Sequence, residues 1–113
     1  MRRTMETLGG HLKVHGRLEG DLATFAINGD VDLASGQAIR NAVCEALDEG
    51  ARRIVLDLAG VTLLDSSGLN ALLNTARDVD RRGGKLRCDA PQGSECRIVI
   101  DLAGVAKLLS LSE

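Results

Sequence analysis

Apolar residues along this chain change their period several times, and each change marks an element. Over residues 11–19 they alternate, with Leu12, Val14 and Leu18 apolar, which predicts an edge strand. Gly20-Asp21 then turns the chain into a β-type run over 22–28. From 33 to 47 the period lengthens. Ile39, Val43 and Leu47, joined by Ala42 and Ala46, follow three-to-four spacing, while Arg40, Glu45 and Asp48 fall on the other face. Ser35 is the expected N-cap of this helix and Gly50 its expected close. Residues 54–58 are apolar nearly throughout, as in a strand covered on both faces or central in its sheet. After Ser66 a second helix carries Leu69, Leu72, Leu73 and Ala76 on one face. Arg77, Asp78, Asp80 and Arg81 lie toward its exposed end, and Gly83-Gly84 stops it. A short strand over 85–88 follows, then a helical stretch from about 92 to 102 opened by Pro91, and a last short strand or helical turn over 106–111. Residues 1–10 are polar, end in Gly9-Gly10, and read as a flexible leader to a domain spanning 11–113.

Strands and helices that alternate with short connections imply parallel strands joined by right-handed crossovers. The expected architecture is a single α/β domain. Its sheet is mixed but mostly parallel, with an antiparallel N-terminal edge hairpin and three to four helices. One near-repeat cuts across this picture: Ile54-Val55-Leu56-Asp57-Leu58-Ala59-Gly60-Val61 returns as Ile98-Val99-Ile100-Asp101-Leu102-Ala103-Gly104-Val105. Two copies with diverging flanks do not make a solenoid. Context assigns the first to a strand and the second to the end of a helix.

Composition narrows the function. With 113 residues, 44% of them apolar, the chain suits one domain with a modest core. Phe25 is the one aromatic residue, which argues against stacking platforms for single-stranded nucleic acid and against an aromatic-lined ligand pocket. The formal charge is -2, and basic residues come only in short pairs such as Arg2-Arg3, Arg52-Arg53 and Arg81-Arg82, so direct nucleic-acid binding is not expected. No apolar run reaches the ~20 residues of a membrane span. Cys44, Cys88 and Cys96 are odd in number and form no Cys-x-x-Cys pair. With no apolar signal segment, they indicate a reducing, cytoplasmic setting and act as small buried hydrophobes.

The stretch richest in chemistry is Asp65-Ser66-Ser67-Gly68-Leu69, at a strand-to-helix junction. A hydroxyl there can be a helix cap, a nucleophile or a phosphate acceptor. A nucleophile elbow needs Gly two residues before the serine, where Leu64 stands, and a histidine base. His11 and His15 both lie in or near the N-terminal edge strand. No phosphate-loop motif is present, since Gly83-Gly84-Lys85 precedes a strand. No His/Cys/Asp/Glu cluster has zinc spacing, and Asp30, Asp32 and Asp65 read more readily as turn formers or caps than as Mg²⁺ ligands. A helix cap accounts for part of the junction. A phosphoryl group on Ser66 would add close to two negative charges beside a helix N-terminus, where the fold tolerates them and a matched partner does not.

The stretch from Ile54 through Asp65-Ser66-Ser67-Gly68-Leu69 resembles the strand, Gly-Val turn and Asp-Ser-Ser-Gly-Leu signature of the anti-sigma factor antagonists, which are built on the STAS domain. Ile27-Asn28-Gly29-Asp30-Val31-Asp32 is similar to their second motif, and Gly83-Gly84-Lys85-Leu86 and Leu102-Ala103-Gly104-Val105 match later landmarks. The resemblance covers about residues 12–109. It implies that Ser66 is phosphorylated, with Ser67 as the fallback, and that Asp32, Asp65, Ser66, Ser67 and Gly68 belong to the partner-binding surface. The implied partners are an anti-sigma factor that is itself a serine kinase, and a PP2C-type phosphatase. The chain itself needs no cofactor, ATP and Mg²⁺ belonging to the kinase, and it is not an enzyme. Unphosphorylated antagonist binds the kinase and frees the sigma factor; phosphorylation releases the antagonist. The alternative is a STAS module that only binds, in a transport or signalling assembly without phosphorylation. Two departures from the family pattern stand out: Leu63-Leu64, where an aromatic or Phe-Ile/Met pair is common, and Gly36 in the first helix turn, a cost of about 1 kcal/mol at most.

Overall fold

The computed structural model describes residues 2–9 and 12–111. Its elements follow the order β1 (Arg2–Gly9), β2 (Leu12–Glu19), β3 (Leu22–Val31), α1 (Leu33–Asp48), β4 (Arg53–Leu64), α2 (Ser66–Arg81), β5 (Lys85–Asp89) and α3 (Glu95–Ala103). The strands form one five-stranded sheet in sequence order, β1-β2-β3-β4-β5. β1 and β2, and β2 and β3, pair antiparallel, while β3–β4 and β4–β5 are parallel. This is the expected mixed α/β domain, with three helices.

The expected leader over residues 1–10 is corrected where it can be seen. Arg2–Gly9 runs as β1, in register from Arg2 opposite Glu19 to Gly9 opposite Leu12. Met1, Gly10 and His11 lie outside the described residues. β2 is consequently an inner strand. An edge strand needs backbone partners but not an apolar pattern, so hydrophobic periodicity had nothing to register in residues 2–9.

Burial follows the pleat. Leu12, Val14 and Leu18 of β2 are buried, whereas Lys13, His15, Arg17 and Glu19 between them are exposed. The same alternation runs through β3, with Ala23, Phe25 and Ile27 buried. It continues in β4, where Ile54, Leu56 and Leu58 are buried and Val55 and Asp57 only half-buried. One face of the sheet is therefore covered by helices and the other is open, an arrangement that antiparallel and mixed sheets allow. Of the two readings of its apolar run, β4 takes the second: it lies inside the sheet, between β3 and β5, and is not covered on both faces, since Val55 and Asp57 stay half-buried. Phe25, Ile27, Ile39, Leu47, Leu56, Leu72 and Ile100 form the fully enclosed centre of the core.

Several boundaries moved for identifiable reasons. β4 does not stop at Leu58 but continues to Leu64, carried past Ala59-Gly60 by two register shifts against β3. A side chain at Gly60 would overlap the Asn28 side chain, so glycine here marks a close approach within a strand. α1 is capped by Asp32 in place of Ser35. The Asp32 carboxylate accepts the Ser35 N–H at 2.9 Å and the Ser35 hydroxyl accepts the Asp32 N–H at 2.8 Å, a reciprocal capping box. α3 starts later than expected because Ser94 donates its N–H to the Pro91 carbonyl in a turn, then caps the helix through Arg97 N–H. Gly104, at φ 72, ends it, so the second copy of the near-repeat is a helix terminus and the first is strand. The tail turns over 106–110 and Leu111 bridges parallel to Cys88.

Candidate functional site

Parallel register builds the site. Val31 at the end of β3 pairs with Leu64 at the end of β4, so the residues that follow, Asp32 and Asp65, leave the sheet side by side. Each caps a helix: Asp32 opens α1 and Asp65 opens α2. The Asp65 carboxylate accepts the Gly68 N–H at 2.7 Å, and the Asp65 N–H donates to the Val31 carbonyl at 3.2 Å. The first turn of α2 is thereby tied to the last residue of β3.

Small residues bring the helix starts together. A side chain at Gly68 would fall on the Val31 carbonyl and its own side chain. A Cβ at Gly36 would meet the Ala71 Cβ at 2.5 Å and the Gly68 Cα at 3.6 Å. Gly36 is thus a packing residue rather than a weak point in α1. Farther along the helix pair, Arg40 clamps Asp78 through two hydrogen bonds of 2.5 and 3.1 Å, and Arg81 adds a third at 2.8 Å. Sequence pattern places Asp78 near an exposed end; the structure buries it between α1 and α2. The Arg40 hydrogen bonds hold its carboxyl below the usual carboxylate range, against the opposing effect of burial.

Ser66 is the first residue of α2 and is exposed, as is Ser67. Neither hydroxyl has a hydrogen-bond partner among the described residues, whereas the Ser35 hydroxyl is fully engaged by Asp32 and the Asp30 carbonyl. Asp32 is exposed, and the bond from the Ser35 N–H, followed by the Ser35 hydroxyl, lowers its pKa. The remaining carboxylate nearby, Asp30, takes the Thr62 hydroxyl at 2.6 Å. Asp30, Asp32 and Asp65 are therefore committed separately, to a side chain and to two helix caps. Among the described residues no group of three His, Cys, Asp or Glu side chains converges as a cation site would need.

His15 projects from the exposed side of β2, on the open face of the sheet, and His11 lies outside the described residues. No imidazole is positioned on Ser66 among the described residues. Two side chains beside the site carry no site role in the sequence reading, Leu63 entering it only as a departure from the family pattern. Leu33, next to the Asp32 cap, is 61% exposed, and Leu63, paired with Asp30, is 48% exposed. An apolar residue at the first helical position, outside the three-to-four stripe, was the available signal. Cys88 and Cys96 are buried, and burial pushes their thiols up to about 12 and about 11. Cys44 is half-buried instead, its sulfur 3.7 Å from Asp78.

The STAS-domain model matches residues 13–112 of the chain. This protein is a member of the STAS domain family. Its fold is similar to that of an anti-sigma factor antagonist from Mycobacterium paratuberculosis, at TM-score 0.70 and 22% identity over 98% of this chain and 85% of that one. It is also similar to the anti-sigma factor antagonist SpoIIAA in its unphosphorylated form, with TM-score 0.68, 15% identity, and 98% and 89% of the two chains covered. The phosphorylated form of SpoIIAA, a Bacillus cell fate determinant, matches at TM-score 0.63 and 15% identity, over 98% and 92% of the chains. No helix of this STAS domain, among the described residues, is long and apolar enough to cross a membrane.

Proposed function

We propose that this STAS domain is an anti-sigma factor antagonist switched by phosphorylation of Ser66. The observation that carries the reading is an exposed, unengaged Ser66 hydroxyl at the start of α2, beside the Asp32-capped start of α1. Likeness to SpoIIAA, a protein with a phosphorylated form, supports it at the level of the fold.

Unphosphorylated, the site offers a partner a neutral hydroxyl, two carboxylate caps and the apolar side chains of Leu33 and Leu63. The partner is an anti-sigma factor with serine kinase activity, which supplies ATP and Mg²⁺. Binding it in the cytoplasm frees the sigma factor. The phosphoryl group adds close to two charges where Asp32 and Asp65 already stand. Buried unpaired in an interface, that charge disfavours binding by several kcal/mol and releases the antagonist. A PP2C-type phosphatase resets it. The chain is a substrate and a ligand, not a catalyst.

Incubation with the cognate anti-sigma kinase and Mg-ATP, followed by phosphopeptide mapping, tests this. Phosphate is expected on Ser66 and absent from Ser66→Ala, and Ser66→Asp is expected to lose kinase binding. Phosphate on Ser67 alone, or undiminished binding by Ser66→Asp, would overturn the assignment.

A further inference from the structure

Charge on the open face of the sheet follows a layout that no stretch of sequence displays. Register sets three rows across β2, β3, β4 and β5. The first runs Glu19, Leu22, Arg53, Lys85; the middle one Arg17, Thr24, Val55, Arg87; the third His15, Ala26, Asp57, Asp89. Along every strand these residues alternate with neighbours that face the helices, so they share the open side. Leu22, Thr24, Ala26 and Val55 are half-buried at its centre.

The face is neutral as a whole. Arg17, Arg53, Lys85 and Arg87 stand with Glu19, Asp57, Asp89 and, in the turn before β3, Asp21. Arg53 meets Asp21 at 2.9 Å and Arg87 meets Asp89 at 3.2 Å, while the Asp57 carboxylate accepts the Ala59 N–H at 3.0 Å. Such a face selects neither an anion nor a cation. It has polarity along the strands instead. On β4 and β5 the cations Arg53 and Lys85 lie in the first row and the carboxylates Asp57 and Asp89 in the third. On β2, which runs the other way, Glu19 lies in the first row and His15 in the third.

We propose that this face docks on the same face of a second copy of the chain, about a two-fold axis that runs along the middle row. The axis exchanges the first and third rows. Arg53 then faces the copy's Asp57, Lys85 its Asp89 and Glu19 its His15, each contact made twice. Leu22 meets Ala26, and Thr24 and Val55 meet their own counterparts at the centre. Arg17 and Arg87 alone face themselves, at the two ends of the axis, where their long stems let the guanidinium groups turn to solvent. A two-fold along the strands would instead set Arg53 on Leu22, Asp57 on Ala26 and Arg17 on Arg87. Four strands ~4.8 Å apart and three rows ~6.6 Å apart make a face roughly 20 Å square. Stacked on its copy it removes on the order of 1,000 Å² of surface in total, the size of a weak, reversible contact. Ser66 follows the end of β4, so reversed strands carry the two Ser66 hydroxyls to opposite ends of the pair, away from the contact.

Sedimentation equilibrium of the full chain from about 10 µM to 1 mM is expected to show monomer and dimer in exchange, with less dimer as salt rises from about 50 to 300 mM. On dilution, the ¹⁵N-labelled chain should shift the amides of Thr24, Val55 and their row neighbours, a readout that needs no substitution. Arg53→Glu/Lys85→Glu should dimerise about tenfold more weakly or worse, and so should Asp57→Lys/Asp89→Lys, each checked for folding by circular dichroism. Mixed one to one, the two variants should pair with each other about as tightly as the wild type pairs with itself, because every reversed charge meets its complement. A monomer at all concentrations or shifts confined to the helices would overturn the proposal. So would folded variants that dimerise like the wild type, or that pair no better when mixed.

Discussion

Alanine at Gly36 sets two effects of opposite sign against each other. In a free helix, Gly to Ala stabilises by about 1 kcal/mol through backbone entropy. Here the added methyl would sit 2.5 Å from the Ala71 Cβ, about 1 Å inside ordinary carbon contact near 3.5 Å. Ala71 has no rotamer through which to retreat, so α1 or α2 must move bodily. Overpacking of this kind costs about 1–3 kcal/mol, and a rigid partner argues for the upper half of that range. Gly36→Ala should therefore destabilise by a net 1–2 kcal/mol or so, lowering Tm by about 5–10 °C for a domain of this size. Urea unfolding followed by circular dichroism would read it as a lower midpoint at unchanged slope. The decisive measurement is the double-mutant cycle with Ala71→Gly, which removes the opposing methyl. The pair should be less destabilised than the sum of the single variants by about 1–3 kcal/mol. A higher Tm for Gly36→Ala, or an additive cycle, would refute the packing role.

Gly68→Ala should be harsher, because its methyl meets the Val31 backbone carbonyl as well as the Val31 side chain; calorimetry should show a larger loss of Tm than Gly36→Ala. Asp78→Asn should destabilise at neutral pH by about 2–3 kcal/mol, the loss of charge-assisted bonds to Arg40 and Arg81. The folded Asp78 pKa is lowered from 3.8, so its contribution is present above that value and is lost as pH falls through the folded pKa. Denaturant titrations from pH 7 to pH 2 should find the wild type and Asp78→Asn converging at the acid end. A thiol reagent added to native protein should modify Cys44 alone, with Cys88 and Cys96 reacting only on unfolding, since both are enclosed in the core while Cys44 is half-buried; mass spectrometry would locate the label.

Much of this fold is legible as periodicity. The alternation at Leu12, Val14 and Leu18 and the three-to-four stripe of Ile39, Val43 and Leu47 each reappear as buried faces of β2 and α1. β1 escaped because an edge strand is held by backbone pairing, which leaves no apolar trace. The last residues of β4 escaped because Ala59-Gly60 looks like a turn, yet serves as a close contact with Asn28 inside a bulged strand pair. At the candidate site, the signature placed Ser66 at a helix start. That Asp32 stands beside it depends on the Val31–Leu64 register, a long-range fact. Likewise, Asp78 reads as a surface charge until α1 brings Arg40 across it.

The Asp65 cap also bears on how a modified Ser66 would look from outside. Asp65 already occupies the Gly68 N–H, a donor in the first turn of α2. A phosphoryl group on Ser66 would find that berth taken by another anion and would stand outward in solvent. The mark would then be displayed at the molecule's end, equally legible to a partner it turns away and to an enzyme that erases it.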